Sequence, residues 1–256
     1  GLIGASSNNG LGMAGVGWGV RLLPVRVLGK CGGYDSDIMA GMRWAAGIDL
    51  RGVRTNPNKA KVRNLSLGGT GACDTTGTGK LYRETIAAVN AAGSSIVVAA
   101  GNSAGLAVGM PGNCPGVITV TALRHVGTKV GFSSVGTEVT IAAPGGNCIN
   151  VGVGQPCLYP MISTTNSGAQ GPVANDNAYT GSGASVGTSF SAPVVSGIVA
   201  LMASVRPSLT PSEITTLLKR TARPFVTSGG GSSDDPTPPQ CKAPTATEQL
   251  ERYSTT

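Results

Sequence analysis

Ser95-Ile-Val-Val-Ala-Ala100, followed at once by Gly101-Asn102-Ser103, decides how the rest of the chain is read. Between Ile96 and Ala100 there is no polar side chain and no break. A run this short and this apolar is a strand buried on both faces, and such strands belong to parallel sheets covered by helices. Asn102 then falls just past the strand's carboxyl end. Open α/β sheets bind their ligands outside that edge.

Working outward, strands are expected over 21–28, 62–67, 117–122 and 139–142. Helices are expected over 36–46 and 80–92. Asp35 or Ser36 can cap the first, with Ile38, Met42 and Ala45 on one face. In the second, Leu81, Thr85, Ala88 and Val89 share a side, and Gly93 stops it. A long Gly/Asn/Ser-rich loop follows from about 144 to 187. The stretch 191–205 is a helix apolar nearly all round (Val194, Val195, Ile198, Val199, Leu201, Met202), which predicts burial in mid-domain. The helix over 211–222 carries its own start signal: Thr210 at the N-cap, Pro211 at N1, Glu213 at N3. Residues 227–240 read as a surface loop. No repeat and no domain boundary interrupts the pattern. The fold expected is a single three-layer α/β/α domain over 1–256 with a mainly parallel sheet. Both ends read as cut, with the N-terminal strand and the C-terminal end missing.

The bulk properties agree. Hydrophobic residues make 40% of the 256-residue chain and charged ones only 12%, which opposes disorder. The net charge of +7 comes from Lys and Arg scattered singly, with no aromatic interleaving, so nucleic acid is not the expected partner. No apolar run reads as long enough to span a membrane, and none resembles a signal peptide. The six cysteines form no C-x-x-C pair, so zinc is not expected. Their even number points to disulfides in an oxidising compartment. Of the 15 possible pairings, Cys31 with Cys73 is favoured, since each flanks a loop after a strand.

Gly187-Thr188-Ser189-Phe190-Ser191-Ala192-Pro193 supplies the chemistry. A serine at a helix start gains from the positive end of the helix dipole and from unpaired N–H groups. Position alone also suits a plain N-cap. Asn102, past its strand, can donate a side-chain amide to an oxyanion. Asn64-Leu65-Ser66-Leu67-Gly68-Gly69 is another strand ending in glycines.

Taken together, GTSFSAP, VVAAGN and NLSLGG resemble the subtilisin-like serine peptidases, or subtilases, and the similarity runs in order from Gly1 to about Ala222. LLPVRVLGKCGGY resembles the same family's strand and loop that pair with extended substrate. The likeness is to secreted bacterial members with disulfides. It implies Ser189 as nucleophile, with Asn102 and the Ser189 N–H as oxyanion donors. It implies Gly32, Gly33, Ser66, Leu67 and Gly68 as a β-augmentation edge for substrate backbone. Ala99, Ala100 and Gly101 would form a wall of a roomy primary pocket. SSNNGLGMAG resembles a loop that holds calcium in many members, here through Asn8 or Asn9; no cofactor is implied for catalysis. The implied partner is a peptide or protein substrate in extended conformation.

The family's D-[ST]-G and H-G-T-H-V-A-G motifs are absent from the sequence. Gly1-Leu2-Ile3-Gly4 looks like the continuation of the second. The expectation is therefore that an N-terminal segment is needed to complete the site, and that the chain alone is inactive. His125, in a turn after a strand, is read as an exposed loop histidine rather than a base. Asp35, Asp37, Asp49, Asp74 and Asp176 are read as caps or loop charges. Two other readings stand beside this one. One is a non-catalytic peptide-binding pseudopeptidase. The other is an α/β-hydrolase esterase using Ser185 of the G-x-S-x-G at 183–187, which would need a strand before it and a histidine after it.

Overall fold

In chain order the described elements are α1 (Asp35–Ala45), β1 (Val62–Leu65), α2 (Gly77–Ala91), β2 (Ser95–Ala99), β3 (Ile118–Leu123), β4 (Ile141–Pro144), β5 (Ser163–Thr164), β6 (Tyr179–Thr180), α3 (Thr188–Val205) and α4 (Pro211–Thr221). They come from a computed structural model that describes residues 1–148, 157–174, 176, 178–180, 185–225 and 233. The expected surface loop at 227–240, Cys241, and Gly183 and Ala184 of the G-x-S-x-G lie outside these, save Ser233.

β2 is buried along its whole length. It pairs with β1 on one side and β3 on the other, all parallel, and β4 continues the sheet beyond β3. The period-2 alternation of a strand sorts its side chains into two layers. Ile96 and Val98 pack with Ile38 and Met42 of α1 and Tyr82, Ile86 and Val89 of α2. Val97 meets Ala192, Val195 and Val199 of α3 and Ile214 and Leu218 of α4. This is the expected α/β/α architecture. Because the strands are parallel, their carboxyl ends share one edge, and α3 starts at that edge: Gly187 N donates to Gly145 O, just past β4, at 2.8 Å.

Several expectations need correction. Residues 21–28 join no ladder among the described residues; only a bridge between Gly29 and Gly32 follows. The segment keeps a strand's alternation, Leu23, Val25 and Val27 half-buried and their neighbours exposed. Val25 and Val27 approach Gly41 of α1 closely. Alternation reports one covered face and says nothing of a hydrogen-bonding neighbour, so it misled. α1 starts after Tyr34 with no side-chain cap; Asp35 instead accepts from Tyr82 Oη at 2.7 Å, tying α1 to α2. Burial of that phenol and its bond to Asp35 push the Tyr82 pKa up. α2 turns Tyr82, Thr85, Ile86 and Val89 inward and leaves Leu81 exposed.

α3 is long and apolar enough, by length and composition, to cross a membrane. It nevertheless packs on the sheet through Ala192, Val195 and Val199, while Ile198, Leu201 and Val205 are exposed. Cys73 pairs with Cys114, and Cys148 with Cys157. Cys31 is an exposed free thiol. Cys73 and Cys114 both border the layer beneath α1 and α2, 5.1 Å apart at Cα, whereas Cys31 sits out on the 29–32 turn. The loop expected over 144–187 carries the short antiparallel pair β5–β6. α4 has its full capping box at Thr210 and Glu213, as the sequence indicated.

Candidate active site

The start of α3 is built by residues from three elements. Gly187, its N-cap, has φ +151°, a backbone setting that side chains rarely adopt, and it brings no side-chain cap of its own. Asn102, past the end of β2, supplies one. Its Oδ1 accepts from Thr188 N at 2.9 Å and from Thr188 Oγ1 at 3.0 Å. Thr188 Oγ1 accepts in turn from Gly101 N at 3.1 Å. An N–H can only donate, so the carboxamide oxygen has to face Thr188. That leaves Asn102 Nδ2 as the outward donor on an exposed residue. α3 has no acidic residue in its first turn, so the positive end of its dipole is uncompensated from within.

Pro193 explains the second tie. It has no N–H, so the carbonyl four residues earlier, that of Ser189, loses its helical partner. Ser66 Oγ, just past β1, donates to that oxygen at 2.8 Å. Asn64 Nδ2 donates to Ser66 Oγ at 2.9 Å, and Ser196 Oγ donates to Asn64 Oδ1 at 3.0 Å. A hydrogen-bonded chain thus locks β1 to the first and third turns of α3. Ser189 itself is half-buried, and its hydroxyl has only a weak contact, to Ser66 O at 3.5 Å.

Asn102, Thr188, Ser189 and Ser66 therefore stand in one bonded group at the carboxyl edge of the sheet. Leu67 and Gly68 continue from Ser66, half-buried and exposed, and Gly69 N donates to Met110 O at 2.8 Å. Ala99 and Ala100 are buried and Gly101 half-buried. The Ala99 methyl belongs to the layer under α3, so this stretch offers mainly backbone and Gly101 to the edge. Gly32 and Gly33 lie outside the bonded group, in the exposed turn closed by Gly29 N to Gly32 O at 2.7 Å. Beside them a hollow of about 800 Å³ is lined by Val25, Val27, Leu28, Asp37, Trp44 and Val53.

Other sequence candidates stand apart. His125 is exposed and stacks on Tyr159, ring centroids 3.7 Å apart. Among the described residues no imidazole or carboxylate is bonded to Ser189 Oγ. Asp49 accepts from Thr55, Asp74 from Thr76 N, and Asp176 from Ala178 N. Ser185 precedes α3 by three residues, with its carbonyl bonded to Met161 N at 2.7 Å. Asn9 Oδ1 accepts from Leu11 N at 3.0 Å, an Asx turn. The 7–14 loop around it offers neutral oxygens and no carboxylate, a poor fit to calcium as it stands. Sequence reasoning passed over Thr188, Asn64, Ser196 and the role of Pro193. Of these, Pro193 carries a signal only from the observed helix start: beyond the first turn a proline frees a carbonyl, whereas the expected start at 191 placed it within that turn.

An α/β sheet with a weakly held serine at a helix start, and a carboxamide captured beside it, defines the class: an α/β protein with a serine and a side-chain amide together at the sheet's carboxyl edge. The subtilase family model matches residues 1–248. An extracellular protease of Xanthomonas campestris pv. campestris is 41% identical over 235 residues, covering 90% of this chain and 36% of that protein. An extracellular basic protease of Dichelobacter nodosus is 41% identical over 230 residues, 88% of this chain and 34% of that one. A solved protease from Pseudoalteromonas arctica has a TM-score of 0.77 at 39% identity, covering 88% of this chain and 62% of its own. The chain belongs to the subtilase family. It spans about a third of the length of the two curated relatives.

Proposed function

We propose that residues 1–256 form the nucleophile-bearing domain of an extracellular serine endopeptidase. The reaction is acyl transfer. Ser189 Oγ attacks the scissile carbonyl carbon, and the leaving amine departs once the tetrahedral intermediate collapses. Water then releases the acyl group. Asn102 Nδ2 and the Ser189 N–H take the oxyanion. Substrate lies extended along Ser66–Gly68 and Gly32–Gly33, and its primary side chain sits against Ala99–Gly101. The observation that carries this reading is the capture of Asn102 Oδ1 by Thr188, the residue before Ser189, which leaves the Asn102 amide as a donor near the start of α3.

Among the described residues no base is bonded to the Ser189 hydroxyl. The chain's one histidine stacks on Tyr159, and Asp49, Asp74 and Asp176 are bonded elsewhere. Residues 1–256 alone are therefore inactive on this reading. Extracellular location accords with the names of both curated relatives and with the disulfides. Calcium at the 7–14 loop, through Asn9 and backbone carbonyls, is at most a weak site, because its donors there are neutral.

On the complete gene product, Ser189→Ala is expected to lower kcat on the order of 10⁶-fold, and Asn102→Ala about 10²- to 10³-fold with KM little changed. A Ser189→Ala protein that keeps peptidase activity overturns the assignment; one that loses esterase activity only on Ser185→Ala favours the hydrolase reading. The missing base also supports a second reading, a pseudopeptidase that binds extended peptide without cleaving it. Fluorophosphonate labelling separates the two: an enzyme is labelled at Ser189 and a binder is not.

A further inference from the structure

Ser134 lies far from Asn102 in sequence, yet it grips the chain on both sides of it. Ser134 N donates to Gly101 O at 2.9 Å, and Ser134 Oγ accepts from Ser103 N at 3.1 Å. The residue before Asn102 and the residue after it are thus held by one buried serine, 1% exposed. Ser134 is anchored in turn: its carbonyl accepts from Thr121 Oγ1 of β3 at 2.9 Å. The clamp continues outward, with Ala104 N donating to Phe132 O at 2.9 Å and Gly105 N to Ser133 O at 3.0 Å. At Gly101 a Cβ would come 3.0 Å from Ser134 Oγ, so a side chain there would crowd the clamp.

We infer that Ser134 is the positioning residue of the oxyanion site, acting through Asn102. The inference rests on the reading of Asn102 as the oxyanion donor. Thr188 fixes the plane of the Asn102 carboxamide, but it does not fix where the Asn102 Cα sits. Residues 102–104 are exposed, and exposed loops open locally at little cost. Ser134 opposes that opening by fastening the backbone at both ends of residue 102 to the floor formed by β3. An oxyanion donor works by being placed before the charge develops, and misplacement by about 1 Å costs up to 10²-fold in rate. Ser134 touches neither substrate nor the reacting atoms, so its loss acts on kcat and spares ground-state binding.

The test is a double-mutant cycle on the complete gene product, with kcat and KM read separately. Ser134→Ala is expected to lower kcat about tenfold, with KM within about twofold. In an Asn102→Ala background it is expected to have no further effect, because the donor it positions is gone. Ser94→Ala is the control. It removes a buried hydroxyl that donates to Ala60 O at 2.7 Å before the amino end of β2, so it lowers stability while leaving kcat within about twofold. If Ser134→Ala does not fold, Ser134→Cys, which keeps a weak acceptor of similar size, is read for the same split. An Asn102→Ala loss with Ser134→Ala silent, additive or confined to KM overturns the positioning role alone. An Asn102→Ala protein with unchanged kcat overturns the donor reading on which it stands.

Discussion

Ser189 and Gly33 stand on two different kinds of scaffold. Ser189 stands in the first turn of a helix, a turn bonded to residues past β1 and β2, and the helix's buried face is covered by the sheet. Gly33 follows an exposed turn after a segment that has one covered face and, among the described residues, no ladder partner. The lesson is one of self-sufficiency. The groups proposed to handle charge are fixed by contacts inside these residues, whereas the stretch proposed to hold substrate backbone has one covered face.

That contrast can be broken or sharpened by mutation, with stability read from urea midpoints in a Ser189→Ala background so that proteolysis does not intrude. The largest effect is expected at the Cys73–Cys114 bridge, which spans 41 residues on the well-packed side. Replacing both with Ser should cost about 4 kcal/mol by loop-closure entropy. Next comes Thr188→Val, which strips Gly101 N of its acceptor and Asn102 Oδ1 of one donor. About 2 kcal/mol is expected, and a value near zero would mean that the two sides are equally loose.

Thr210→Ala removes the α4 cap and should cost about 1 kcal/mol. Its pH dependence has a definite sign. Glu213 accepts from Thr210 N and Oγ1, which holds its carboxyl below the ordinary value of 4.5. The cap's contribution is therefore complete above that value and fades as pH falls through the lowered one. The Thr210→Ala deficit should shrink in acid, and a constant deficit would count against the capping box. The smallest effect is expected at Leu22→Ser in the one-sided segment, within about 0.5 kcal/mol. A loss of several kcal/mol there would show that 21–28 is as firmly held as β1.

What could be read in the sequence was local. Apolar runs gave β2 and β3, Thr210-Pro211-Glu213 gave the start of α4, and GTSFSAP gave a serine at the head of α3. Residues 21–28 misled because alternation reports burial of a face, which α1 provides, and not a ladder. Cys31 misled because flanking a loop says nothing of distance through space. The hydroxyls of Ser66, Ser134 and Ser196 carry no periodic signal. Each acts across a separation of roughly 30 to 130 residues, which only the folded topology closes. Pro193 matters only once α3 is seen to begin at Thr188, three residues before the expected start: its missing N–H then leaves the Ser189 carbonyl to the Ser66 hydroxyl.

Asn102 is the end-piece of α3, and on the proposed reading it is also a donor to a bound oxygen, so the two duties cannot drift apart. Any variant that loosens its oxygen from Thr188 also releases the first amide of α3. Deuterium uptake at that single amide would then rise in step with the decline in turnover, a solvent-exchange readout of the reaction centre that needs no substrate.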